Sequence, residues 1–391
     1  MISIQSEYIR KNMSILDWEK ELISLIKKYN LYTNRFLFVY VSSLNKPIPD
    51  TMLNMEDYYL IHGILKNVSS DKLDFYIESG GGSGEAAEEI AKCLHSKFSN
   101  VNFIVSGEAK SAGTILVLSG DEISMTETGS LGPVDAQVPI GRFRVSAHDY
   151  LRWIDEKRLE ARNNNALNPL DATMIAQISP GELQGVHEAL NFAKDLIIEW
   201  LPKYKFKNWT HSSKTNEEIT DDYKKKRAEE LANELVNHSK WHSHGRSLKI
   251  EELRPYLKIN EIDKDPKLAD IIYRIQTASK FILQNSSVYK LLATENERIF
   301  RNAVPQNALP KLPEQIKAPL NVAMIIEVPC PSCGTKHKLY GTFVKNPINE
   351  NKVKKFSNIK KMDSLNCSCG YQIDLVSVKN DIENRTNKKL V

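Results

Sequence analysis

Residues 14–29 (SILDWEKELISLIKKY) place apolar side chains at helical spacing with charges between them, which predicts an amphipathic helix. A continuous apolar run from Arg35 to Leu44 then reads as a buried strand, and 50–66 as a helix. The same alternation continues: a strand over Leu73–Gly80, a helix over Glu85–Phe98, a strand over Asn102–Gly107, and a small, apolar helix over 111–120. Short strands and turns follow up to Asp135. Strands and helices alternating at this pace predict a layered α/β core.

From Ser146 to about Leu201 the pattern is mostly helical, with a break at 163–169. Ser179-Pro-Gly-Glu182 carries an N-cap residue with proline in the first turn, the start signal of a long helix to Leu201. Residues 203–227 are polar and lysine-rich, and Lys224-Lys-Lys-Arg227 reads as a solvated helix face. Helical patterns resume at Glu229–Val236, Lys249–Leu257 and Lys264–Ser286. Four prolines between Pro305 and Pro319 mark a linker, after which a small module begins near Leu320.

Composition narrows the class. In 391 residues, 53 Lys and Arg stand against 49 Asp and Glu, and the net charge of +4 does not mark an obligate nucleic-acid binder. With 17 Gly, 16 Pro and 5 Cys, the chain is neither collagen-like, disordered nor a disulfide scaffold. No window approaches the roughly 18 apolar residues that would span a bilayer, and the N-terminus lacks a secretory h-region. A cytoplasmic protein with no membrane span is expected.

Two segments carry chemistry. Glu78-Ser-Gly-Gly-Gly-Ser83 sits at a strand-to-helix junction, where glycines let a ligand approach backbone amides. Those amides suit either a phosphate or an oxyanion. Gly107-Glu-Ala-Lys-Ser-Ala-Gly-Thr114 places Ser111 at the start of an apolar helix, as either an exposed nucleophile or a plain N-cap. In order with Gly129-Ser-Leu-Gly-Pro-Val-Asp-Ala-Gln137, these segments resemble the superfamily of Clp protease, signal-peptide peptidase A and crotonase. The likeness is greatest to the serine dehydrogenase proteinase branch, over roughly residues 35–265.

The resemblance implies a Clp/crotonase-like spiral of ββα units in that span. An N-terminal helical segment (1–34), a helical and proline-containing linker (266–319) and a C-terminal module (320–391) complete the chain. It further implies Ser111 as nucleophile, with oxyanion amides from Gly81, beside Gly82, and from Ala112. No histidine lies at the Clp-type position after Ser111, so the branch's order of Ser, Asp, His points to Asp135 and His244. His242 and His148 are rivals of His244. The signal-peptide-peptidase branch uses a Ser–Lys pair, which makes Lys157 an alternative base. Homo-oligomers and a peptide or protein substrate are the family expectation.

Cys330-Pro-Ser-Cys333-Gly and Cys367-Ser-Cys369-Gly form two close pairs that can meet at one structural Zn²⁺. Four thiolates would leave no open coordination position, and metal binding would supply the folding free energy of so small a zinc ribbon. Its lysines suggest a nucleic-acid or protein partner. The leading expectation is a soluble serine peptidase. A catalytically inactive scaffold whose ribbon binds nucleic acid or protein, and a crotonase-like acyl-thioester enzyme, are the alternatives.

Overall fold

Phe36–Ser42 contains no charge and forms strand β1, six of whose seven residues are buried. A strand covered on both faces belongs inside a parallel sheet. In the computed structural model β1 pairs in parallel with β2 (Lys72–Glu78), β2 with β3 (Asn100–Val105), β3 with β5 (Glu122–Met125) and β5 with β9 (Asn260–Glu261). On the other side of β1, the strands β10 (Val288–Ala293) and β11 (Arg298–Asn302) add antiparallel, giving the order β11-β10-β1-β2-β3-β5-β9. The structure describes residues 3–134, 136–140, 143–211, 217–236, 241, 245–303, 323–347, 350–386 and 389–391.

Alternate side chains of these strands feed two cores. Leu37, Val39 and Val41 pack with Trp18, Leu22 and Ile26 of helix α2 (Ile15–Thr33) and with Ile271, Ile275 and Ile282 of Pro266–Gln284. Phe38, Tyr40, Phe75, Ile77 and Phe103 face the other way. They meet α3 (Met55–Leu65), α4 (Gly84–Lys97), α5 (Ala112–Leu118) and α8 (Pro180–Lys203) through Ile61, Ile90, Leu116 and Leu196. The helices start where capping side chains satisfy orphan amides: Ser14 with Asp17 before α2, Asn54 with Asp57 before α3, Ser83 before α4, and Ser179 before α8. Helix α1 (Ile4–Lys11) precedes this layer, and α6 (Ala147–Asn164) and α7 (Pro169–Ile175) precede α8. Helix α9 is Asp221–Val236.

A second, smaller layer of strand lies over the carboxyl ends of the main strands. Leu53 bridges Gly82, Ser79 bridges Ala109, and β4 (Glu108–Ala109) pairs with β6 (Ser130–Leu131). Leu131 in turn bridges Leu248. β1, β2 and β3 each run into a short outer strand or bridge and then a helix, which is the ββα pattern the sequence resemblance implies. A hairpin of β7 (Gln137–Ile140) and β8 (Phe143–Ser146) follows the last of these outer strands.

The chain divides into two compact units, Met1–Ala303 and Val304–Val391. The expected boundary at residue 265 falls inside the first unit, because Pro266–Gln284, β10 and β11 complete its sheet and core. Lys224, read as part of a solvated face, is buried, with its Nζ 3.3 Å from Asp221 and 3.4 Å from the Lys207 carbonyl. In the second unit β12 (Met324–Pro329) and β13 (Lys336–Gly341) form a hairpin flanked by β14 (Ser357–Asn358). A second hairpin, β15 (Ser364–Asn366) and β16 (Gln372–Asp374), leads into the helix Leu375–Thr386. Its core centres on Ile326, Val328, Leu339, Ile359 and Ile382.

Candidate active site and metal centre

β2 ends in a turn that only glycine can make. Gly81 has φ 107° and Gly82 φ 152°. A Cβ on Gly82 would lie 2.2 Å from the Leu53 carbonyl oxygen, so Leu53 packs directly on this backbone. The Leu53 N–H donates to the Gly81 carbonyl at 2.8 Å, and the Ser83 N–H to the Leu53 carbonyl at 2.9 Å. Because a peptide is planar and trans, the Gly82 N–H points away from the Gly81 carbonyl and hence away from Leu53. It has no hydrogen-bond partner among the described residues, whereas the Gly81 N–H donates to Ser79 Oγ at 3.2 Å.

Ser111 lies against this turn. A Cβ on Gly81 would sit 2.8 Å from Ser111 Cβ and 3.4 Å from its Oγ. Ser111 holds φ 49° and ψ −117°, a backbone region that costs a non-glycine residue about 1–3 kcal/mol. It is half-buried and precedes α5, yet its hydroxyl caps no amide of that helix. The N-cap alternative is therefore not what the side chain does. The Gly113 N–H reaches the Lys110 carbonyl at 2.8 Å and the Ile115 N–H the Ser111 carbonyl at 3.1 Å. Neither the Ser111 hydroxyl nor the Ala112 N–H finds a partner among the described residues.

Two distant segments converge here. Gly132 donates its N–H to Thr114 Oγ1 at 2.9 Å, and that hydroxyl donates to the Ala109 carbonyl at 2.7 Å. Leu131 and Leu248 exchange both backbone bonds, at 3.0 and 2.9 Å, and the Val134 N–H donates to the Leu235 carbonyl at 2.9 Å. Asp135, His242 and His244 themselves lie outside the described residues. Their chain neighbours are held: Trp241 is buried and donates its indole N–H to the Glu234 carbonyl at 2.8 Å. His148, the other rival, is in the first turn of α6, with Nδ1 3.8 Å from Asp149.

Lys157 is ion-paired with Asp171 at 2.6 Å and Glu160 at 2.8 Å, which raises its pKa above the usual lysine value. A general base needs the opposite shift. Lys110 has no role among the candidates read from the sequence. It is buried beside Ser111, and its ammonium reaches both converging segments. The available signal was a lone lysine in a run of small and apolar residues.

The sulfurs of Cys330, Cys333, Cys367 and Cys369 lie within 4.8 Å of one another, with Cys330–Cys369 and Cys333–Cys367 at 3.6 Å. Each pair sits on a knuckle closed by a left-handed glycine, Gly334 (φ 75°) and Gly370 (φ 86°). The Gly334 N–H donates to the Cys330 carbonyl and the Gly370 N–H to the Cys367 carbonyl, both at 2.9 Å. The Cys369 backbone amide draws the Cys367 thiol down to about 5. The Tyr371 amide would lower Cys369, but partial desolvation and the three neighbouring sulfurs together push it up to about 11. One thiolate among crowded sulfurs opposes the next, and a cation relieves that repulsion. The cluster can hold a metal ion. Of the ribbon's lysines, Lys336 and Lys338 share Glu327 at 3.4 Å.

Residues 41–179 match the family described as ClpP-like SDH-type serine proteinase. That span contains Gly81, Gly82, Ser111, Ala112, Asp135 and Lys157, and excludes His244 and the cysteine cluster. The chain is 27% identical over 169 residues to the uncharacterized protein MJ0137 of Methanocaldococcus jannaschii, covering 41% of this chain and 54% of the relative. It is 35% identical over 66 residues to MJ1495 of the same organism, covering 17% and 23%. The chain thus spans about half the length of the first of these curated relatives and under a quarter of the second.

Two mutants of the 1510-N membrane-bound stomatin-specific protease are similar at 13% identity and a TM-score of 0.33. One match covers 56% of this chain and 79% of that chain; the other, to a complex with a substrate peptide, covers 64% and 83%. The fold assignment, a ClpP-like serine peptidase fold, rests on the family match. Among the described residues, no helix is long and apolar enough to cross a membrane.

Proposed function

We propose that this ClpP-like segment, with residues downstream of it, is a serine peptidase that hydrolyses peptide bonds through an acyl-enzyme at Ser111. The observation that carries the reading is a strained, half-buried hydroxyl with no hydrogen-bond partner among the described residues, set against a glycine turn and beside an unpaired helix-terminal amide. Ser111 Oγ attacks the scissile carbonyl carbon while His244 takes its proton, and Asp135 orients the imidazole and stabilises its charged form. The Ala112 amide and an amide of the Gly81–Gly82 pair receive the developing oxyanion, with Gly82 the one still free to donate. His244 then returns the proton to the leaving amine, and water repeats the sequence to release the acyl group. Lys157 is the weaker base, since deprotonating it means breaking two ion pairs.

The four cysteines hold a structural Zn²⁺. Tetrahedral zinc at about 2.3 Å from each sulfur requires sulfurs roughly 3.8 Å apart, close to the spacing of the two shorter pairs. With no open position, the metal supports the fold of the second unit and takes no part in the chemistry at Ser111.

A fluorophosphonate probe tests the reading: it should label the wild type at Ser111, and the Ser111→Ala variant should neither label nor cleave peptides. Cleavage that survives Ser111→Ala would overturn it. His244→Ala should lower labelling by roughly 10²–10⁴-fold, as loss of a general base does, and Lys157→Ala should leave it within about twofold.

A further inference from the structure

Lys110 precedes the proposed nucleophile and is 5% exposed. Burying an ammonium requires compensation by acceptors. Its Nζ lies 3.3 Å from Ser130 Oγ, 3.1 Å from the Leu131 carbonyl, 3.2 Å from the Arg246 carbonyl and 2.9 Å from Ser247 Oγ. Glu108 Oε2 is 3.8 Å away and partly exposed, and Lys249 is the other charge acting on it. Burial works against the Lys110 charge and lowers its pKa, and the four oxygens around its three N–H bonds form a cage that compensates an ammonium.

The cage joins segments far apart in sequence. Ser130 and Leu131 lead into Asp135; Arg246 and Ser247 lead out of His244. The backbone of Lys110 is fixed as well: its N–H donates to the Ser79 carbonyl at 2.9 Å, and its own carbonyl accepts from Gly113 at 2.8 Å. One residue therefore ties the strand entering the glycine turn, the helix behind Ser111, and both converging segments. Its stem fits because residue 132 is glycine: a Cβ there would lie 2.8 Å from Lys110 Cδ.

We propose that Lys110 is a positioning residue whose ammonium clamps the Asp135-bearing and His244-bearing segments against Ser111. It touches no substrate. The inference rests on the Ser111–His244–Asp135 reading for its catalytic consequence, but the clamp itself does not.

Lys110→Met keeps the stem and removes the charge. Fluorophosphonate labelling of Ser111 should slow about tenfold or more, and peptide kcat should fall with KM within about twofold, because no substrate contact is lost. Wild-type labelling should level off above the imidazole pKa, whereas the variant's rate should keep rising with pH as hydroxide replaces a misplaced base. Hydrogen exchange at the Leu131 and Leu248 amides should quicken as the zipper between them loosens. A folded Lys110→Met protein with the wild-type rate, pH profile and exchange overturns the proposal. Should that variant not fold, Ser247→Ala removes one acceptor and leaves the cation: labelling slowed about two- to fivefold supports the clamp, and an unchanged rate overturns it. If the wild type is not labelled at all, the nucleophile reading fails. The exchange of Leu131 and Leu248 then still decides the clamp.

Discussion

Glu78 is the last residue of β2, and its carboxylate is buried against Gly107, where a Cβ would fall 2.4 Å from Glu78 Cδ. Burial pushes this carboxyl from 4.5 up to about 7, with Lys280 and the Tyr76 hydroxyl opposing and Glu108 assisting. The folded state therefore keeps a proton that the unfolded chain releases near 4.5. Stability from this group is full below that value and declines as pH rises to about 7, by on the order of 3 kcal/mol. Melting temperatures between pH 5 and 8 should fall for the wild type and stay level for Glu78→Gln; parallel slopes would show that Glu78 does not hold the proton. Two residues on lies the glycine turn, so a proton at Glu78 sits close to the strained geometry around Ser111. Among the described residues, Ser111 at φ 49° is the positive-φ residue that is neither glycine nor asparagine, the two types that enter that region readily.

Among the secondary-structure elements, β10 shows why a charge can sit in the middle of an apolar strand. Lys290 interrupts Val288–Ala293 and is completely buried, with Nζ 2.7 and 2.8 Å from the Asp57 carboxylate and 3.1 Å from the Met52 carbonyl. Asp57 also caps α3 by accepting from the Asn54 N–H at 3.0 Å and takes the Tyr40 hydroxyl at 3.1 Å. The pair thus fixes residues 52–54, where Leu53 bridges Gly82. Lys290→Met leaves a buried carboxylate without its partner and should cost about 3–5 kcal/mol in denaturant unfolding, with Asp57→Asn recovering part of it in the double variant. A loss below about 1 kcal/mol would overturn the role of the pair in holding these segments together. The sequence pattern predicts α3 over 50–66 without its Asn54 cap, and β10 reads as nothing in particular because its lysine breaks the apolar pattern. Only the partner 233 residues away explains it.

Taken whole, the chain builds its cores in two separate units: Met1–Ala303 holds one on each face of its main sheet, and Val304–Val391 holds a much smaller one. So small a core gains little from burial alone, and metal binding should supply the remainder. A strong chelator is expected to release one zinc per chain, read by a colorimetric zinc indicator, and to abolish the unfolding transition of the second unit. Fluorophosphonate labelling at Ser111 should persist, since that site belongs to the other unit. Labelling lost in step with zinc release would tie the metal to the active site instead.

Order along the chain was enough to expect the alternating strands and helices, the glycine turn, Ser111 at a helix start and the paired cysteines, because each is written in residues close together. Backbone propensity, glycine freedom and thiol spacing are local properties. What joined Leu131 to Leu248, Lys290 to Asp57 and Lys110 to two remote loops was decided in three dimensions. A buried charge has a stable place only where distant acceptors meet it, and that meeting is a property of the packed chain.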